Sequence, residues 1–266
     1  MSFAPVIPFG GILGWEFLKR SEATQAATLS RQAVLQRDEA YFRDRIGTID
    51  TAEKLVSDRR LLRISLEAFG LQADLNARAF IRKVLEDGTL KTDALSNRLT
   101  DPRYKAFSAA FGFGNFSVPN TALSTFADGI MARWKEARFE GAVGTVNNDM
   151  RLALNARREL VTLARDDTTE RAKWFRVLGT PPLWEVMRQA LGLPKSLGSI
   201  DLDRQVAVLE RRAQAVFGAP TVGQFSDPAR VETAIRRFLA ASTAQTAVTQ
   251  SPAMTLLQTT RLSMRL

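Results

Sequence analysis

The chain has 266 residues, 45% of them hydrophobic, which is enough for one large core or two modest domains and too apolar for disorder throughout. It contains no cysteine and no histidine, so disulfides, thiolate catalysis and cysteine metal sites are excluded, and the usual general base and commonest zinc ligand are missing. The 37 basic and 28 acidic residues give a net charge of +9, but the two signs are interleaved, which reads first as a solvated arginine-rich surface, and only after that as a face for an acidic protein or membrane partner or as a polyanion site.

Residues 1–14 read as an apolar, irregular arm. Pro5 and Pro8 break it, no basic stretch precedes it, and Glu16 and Lys19 follow closely. The arm therefore fits neither a cleavable signal nor a membrane span. That leaves a cytoplasmic location, or export by a specialised route that needs no cleaved signal. Residues 15–46 predict one long helix, with Trp15, Leu18, Leu29, Val34, Leu35, Tyr41, Phe42 and Ile46 as its apolar positions. Gly47 ends it. Asp50 and Glu53 then have the spacing of a capping box, and Ser57 or Asp58 restarts a helix whose face is Leu61, Leu62, Leu66 and Phe69. Gly70 stands where a left-handed C-cap is cheapest. A helix is expected over 75–87 with Asp74 as its cap, closed by Gly88. Asp101-Pro102 is a strong helix start, since Asp caps and Pro fits the first turn.

Residues 112–120 form the clearest loop, rich in Gly, Asn and Pro and flanked or carried by Phe111, Phe113 and Phe116. Helices are expected at about 121–139, 146–165 and 169–178, with Gly141 and Gly144 separating the first two. Further starts stand at Thr180-Pro181-Pro182, Asp201 and Asp227-Pro228, the last helix running to about Ala241. Residues 242–266 read as a mobile tail with an apolar patch at Met254, Leu256 and Leu257. The fold class is all-α: a multi-helix array without a substantial sheet. Its expected parts are the arm 1–14, a helical unit 15–118, a second packed unit 119–241, and the tail. The halves carry a weak echo. Leu66-Glu67-Ala68-Phe69-Gly70-Leu71 resembles Met187-Arg188-Gln189-Ala190-Leu191-Gly192-Leu193, and Asp101-Pro102 resembles Asp227-Pro228. Duplication and repeated use of the same capping rules both account for it.

No phosphate-binding loop or dinucleotide fingerprint is present. Asp166, Asp167 and Glu170 are the carboxylates that a hydrolase acting on cell-wall polymer would need, but helix capping explains them as well. The basic clusters Arg59-Arg60-x-x-Arg63, Arg157-Arg158, Arg211-Arg212 and Arg236-Arg237 each stand beside acids or within amphipathic helices. A nucleic-acid-binding regulator would want them converging beside a helix-turn-helix, which is not evident.

One series of motifs carries a family resemblance. It comprises Phe42-Arg43-Asp44-Arg45-Ile46-Gly47-Thr48, residues 51–62, residues 66–71, Ala79-Phe80-Ile81-Arg82-Lys83-Val84-Leu85, Leu95-Ser96-Asn97-Arg98-Leu99 and Asp101-Pro102-Arg103-Tyr104. Over residues 15–115 the chain resembles an uncharacterised bacterial family, mainly alphaproteobacterial and often encoded within flagellar gene clusters. The resemblance implies no catalytic residue and no cofactor. It implies a non-enzymatic role in flagellar assembly or structure, with flagellar or export proteins as partners. Candidate partner-binding residues are Trp15, Arg59, Arg82, Arg98, Arg103, Phe111, Phe113 and Phe116. The arginines, with Asn97, alternatively form an internal polar network.

Overall fold

The computed structural model describes residues 3–249, and among them every regular element is a helix. In chain order these are α1 (Gly11–Ser30), α2 (Ala33–Arg45), α3 (Ala52–Ser57), α4 (Arg59–Ala68), α5 (Arg78–Asp87), α6 (Leu95–Arg98), α7 (Pro102–Phe111), α8 (Phe126–Val146), α9 (Asn148–Ala164), α10 (Glu170–Gly179), α11 (Pro181–Ala190), α12 (Leu202–Phe217) and α13 (Pro228–Thr249). Short 3-10 turns join several of them, including Gln72–Asp74, Asn120–Ala122 and Val222–Ser226. The expected all-α array is therefore what the chain forms.

Two compact units emerge. The first holds the chain up to Val6 together with Arg20–Val146, and the second holds Ile7–Lys19 together with the chain from Asn147 on. In the first unit α4 packs on α2, α3 and α8, while α5, α6 and α7 pack on one another. Its core includes Leu35, Phe42, Leu55, Leu61, Leu62, Ile81, Phe107, Phe111 and Trp134, all within 2% of full burial. In the second unit α9, α11 and α13 pack mutually, closed by the turn Val222–Ser226. Trp15, Leu18, Met150, Trp174, Val186, Phe225 and Phe238 lie fully buried there. Burial of a side chain of this size contributes roughly 1.5–3 kcal/mol.

Several local expectations change. The helix expected over 15–46 breaks at Gln32, whose ψ of 130° is extended. No Gly or Pro marks that break; Ser30 instead turns its hydroxyl back to the Ala26 carbonyl, an arrangement that bends helices. Helix α1 also starts at Gly11, inside the segment expected to be irregular. Thr51 rather than Asp50 caps α3, accepting from the Lys54 amide, while Asp50 pairs with the Lys54 ammonium at 2.8 Å. Asp74 caps nothing: its carboxylate accepts the Tyr104 hydroxyl at 2.7 Å, and α5 begins at Arg78 without a side-chain cap. Helix α8 runs through Gly141 and Gly144, and the chain turns instead at Asn147, which caps α9 through the Met150 amide. Helix α13 continues past Ala241 to Thr249, and the part of the expected tail from residue 250 lies outside the described residues.

Candidate functional site

The aromatic residues around 107–126 organise one end of the first unit. Phe69 meets Phe107 edge-on at 5.3 Å, Phe107 meets Phe111 at 5.0 Å, and Phe111 meets both Phe113 at 5.7 Å and Phe126 at 5.1 Å. Such tilted and edge-to-face pairs each add about 0.5–1.5 kcal/mol beyond their area. Phe111 is thus a fully buried anchor with no surface for a partner, and Phe113 is half-buried against it. This corrects the expectation that Phe111 itself contacts a partner.

The loop that follows is built, not loose. Gly112 takes a left-handed φ of 72° and ends α7, with its amide bonded to the Ser108 carbonyl at 2.9 Å. The Phe116 ring folds over Gly112, where an added Cβ would meet it at 2.9 Å. Asn120 donates to the carbonyls of Ala109 and Ala110, satisfying the end of α7, and Thr121 donates to the Ile49 carbonyl at 2.6 Å. A second loop runs alongside. Asn115 accepts from the Thr89 amide at 2.7 Å and donates to its hydroxyl at 3.0 Å. Backbone meets backbone here: a Cβ on Gly114 would land on the Glu86 carbonyl and the Gly88 amide, and Gly88 has a φ of 68°. Helix α6 sits on the same loop, with Ser96 donating to the Gly88 carbonyl and Asn97 to those of Thr89 and Lys91.

This scaffold leaves apolar side chains outside. Leu90 and Phe116 each directly follow one member of the Thr89–Asn115 pair, and they are 70% and 53% exposed. Val118 at 66% and Leu123 at 57% continue the exposed set along the same loop. Leu90, Val118 and Leu123 carry no sequence signal that separates them from core residues, which is why only Phe116 was legible.

The candidate arginines separate. Arg103 forms ion pairs with Asp101 at 2.6 Å and also donates to the Gly70 carbonyl, so it closes the end of α4. Arg82 bridges Glu86 at 2.6 Å and Glu53 at 3.2 Å, and Arg59 reaches Asn76 at 3.3 Å. They form separate local contacts instead of one network. Arg98, at the end of α6, is exposed and makes no ion pair among the described residues. Trp15 lies in the other unit, fully buried, its indole N–H donating to Glu232 at 3.1 Å and Arg157 stacked 5.4 Å over its ring. Its expected role at a surface is corrected to a core one. The exposed residues of that segment are its neighbours: Leu13, in the first turn of α1, is 73% exposed, and Phe9, just before the helix, is 58% exposed.

Of the three carboxylates singled out earlier, Asp166 and Glu170 are engaged, and Asp167 is exposed. Asp166 pairs with Arg176. Glu170 takes the Lys173 ammonium at 2.9 Å and the Gly223 amide at 3.1 Å. Burial pushes the Glu170 carboxyl up, but Lys173 and the Gly223 and Val222 amides outweigh it and hold the group below its ordinary value. A general acid needs the opposite displacement. Among the described residues no three potential metal-ligating side chains converge, and no helix is long and apolar enough to cross a membrane. The arginine clusters also disperse: Arg60 and Arg63 hold Asp38, Arg212 and Arg237 cap the end of α11 through the Leu191 and Ala190 carbonyls, and Arg236 pairs with Glu232 and Glu16.

Comparison with other proteins places this arrangement. A family described as a protein of unknown function (DUF1217) matches residues 68–231. An X-ray crystal structure of a protein from Agrobacterium tumefaciens is similar over 91% of this chain and 99% of its own, with a TM-score of 0.74 and 23% sequence identity. That likeness concerns the fold. No curated protein matches the chain.

Proposed function

The chain belongs to the DUF1217 family of proteins of unknown function, and from that premise we propose that it is a non-enzymatic, protein-binding component of flagellar assembly. The observation that carries the binding role is the exposed set Leu90, Phe116, Val118 and Leu123 on a rigid double loop. Single exposed apolar residues are ordinary, but a set fixed on a rigid scaffold marks a contact surface. Large anchored side chains also tend to dominate binding energy. The loop has the glycines and side-chain anchors needed to hold these residues outward, and ordering costs are met before a partner arrives.

The flagellar assignment rests on the resemblance of residues 15–115 to proteins encoded in flagellar gene clusters. Partners on this reading are rod, hook, motor or export proteins, and the protein sits in the cytoplasm or with the flagellum. Phe9 and Leu13 offer a second contact on the other unit. Tagged full-length protein purified from cytoplasmic, membrane and flagellar fractions of the native host tests the proposal. Enrichment of flagellar components by wild type, lost with Leu90→Ser/Phe116→Ser/Val118→Ser, is the expected result. Equal recovery by both proteins, or no flagellar component with either, contradicts it.

A further inference from the structure

The exposed apolar set does not stand alone. Lys91 follows Leu90 directly, Arg98 ends the helix seated on that loop, and Lys105 faces outward on α7, whose end carries the Phe116 loop. All three are exposed and, among the described residues, none makes an ion pair, although Lys91 helps to lower the Asp87 carboxyl. Most other charges nearby are satisfied: Lys83 holds Asp87 at 2.7 Å, Arg82 holds Glu86, and Arg103 holds Asp101. Among the described residues Asp93 is the one exposed acid in the same loop without an ion pair, and its charge acts on Lys83. The elements that carry the apolar residues thus also carry three exposed cations outside any ion pair, against one such anion, among the described residues.

We propose that this surface takes an acidic amphipathic helix of a partner protein, its apolar stripe on Leu90, Phe116, Val118 and Leu123 and its carboxylates towards Lys91, Arg98 and Lys105. The inference rests on the protein-binding reading of the same loop. Charge complementarity carries it. Exposed cations opposite a partner's carboxylates steer encounter and reject partners of the wrong sign, while the apolar contacts supply the affinity. A helix presents an apolar stripe at spacings of three and four residues with acids beside it. A strand presents only alternate residues to one side.

Three synthetic peptides of about 18 residues, five helical turns, test this against the full chain. They share leucines at helical spacing and carry Glu, Gln or Lys at the remaining positions. Fluorescence anisotropy at low and moderate salt gives affinity and on-rate. The Glu peptide is expected to associate at least about tenfold faster than the Gln peptide at low salt. The Lys peptide is expected to bind least. Lys91→Glu/Arg98→Glu/Lys105→Glu reverses that order, and Leu90→Ser/Phe116→Ser/Val118→Ser loses all three peptides. Equal binding of the three peptides, abolished by the serine variant, overturns the acidic partner and leaves the loop as the contact surface. Binding that survives the serine variant, or no binding by any peptide, overturns the inference. All substituted residues are exposed, and unchanged far-UV circular dichroism and thermal unfolding verify that each variant folds.

Discussion

Asp38 shows how a single side chain ties helices together. It projects from α2, is only 7% exposed, and takes Arg60 at 2.7 Å and Arg63 at 2.6 Å from α4. Burial raises its carboxyl, but the two guanidinium groups outweigh that and hold it below the ordinary value. Its contribution is therefore fully present above the unfolded-state pKa and is lost as pH falls through the lower folded value. Asp38→Asn is expected to destabilise the protein by about 1–3 kcal/mol in urea unfolding at neutral pH. It should also flatten the loss of stability below about pH 4. An unchanged midpoint would show that the pair contributes nothing. The two tyrosines give a second check. Burial and the bond to Asp74 push Tyr104 up to about 12, and the bond to Asp58, with burial, raises Tyr41. For an acid raised on folding, stability is present below the unfolded value and declines as pH climbs towards the folded one. In Tyr41→Phe, phenolate absorbance is expected to rise near pH 12. A transition at about pH 10, the free value, on a chain still folded by circular dichroism would contradict the Tyr104–Asp74 contact.

At the scale of elements, glycine positions separate what the sequence discloses from what it hides. Gly70 and Gly88 were expected to end helices, and they do, with φ of 70° and 68°. The local rule is strong there because only glycine takes that conformation cheaply. The echo between the halves is also physical in part. At α4 the Leu71 and Gly70 amides bond the Leu66 and Glu67 carbonyls, and at α11 the Leu193 and Gly192 amides bond those of Arg188 and Gln189. Gly141 and Gly144 misled because their helix is held by packing of Trp134, Phe139 and Val143, which outweighs a propensity cost of about 1 kcal/mol each. Asp74 misled because a cap and a tyrosine partner look alike until Tyr104 is placed. The candidate site was legible in Phe116 and the glycine-rich loop. It was not legible in Leu90, whose loop joins the site only through Thr89, Asn115 and Gly114. Two alanine substitutions test this. Gly141 has nothing within 4 Å of an added Cβ, so Gly141→Ala is expected to stabilise by up to about 1 kcal/mol. Gly114→Ala would collide with backbone and is expected to cost about 1–3 kcal/mol. Matching shifts in thermal midpoint would contradict the close approach of the two loops.

For the molecule as a whole, the chain's path decides what the N-terminus does. Residues 7–19 belong with the unit formed by the chain from Asn147 on, where Trp15 is fully buried beside Glu232 and Arg157. Linear reading set residues 1–14 apart as an arm and put 15–19 in the first unit because neighbours in sequence usually pack together, and nothing local announces a contact 217 residues away. Trp15→Ala is expected to cost about 3–5 kcal/mol, whereas Leu13→Ser, at an exposed site, should stay within about 0.5 kcal/mol. Similar losses for both in urea unfolding would contradict this division between core and surface. Partner contact at the N-terminus is therefore best probed at Phe9 and Leu13, since removing the segment would also open the core.

The central claim is that the loop bearing Phe116 meets another protein. A photo-crosslinking residue at position 116 in the native host tests it most directly, with the buried position 111 and the exposed position 214 as controls. The account predicts a discrete crosslinked product at 116, absent at 111 and 214, containing a flagellar or export protein. No product at 116 when the protein is expressed in flagellated cells, or the same products at 116 and 214, would contradict it.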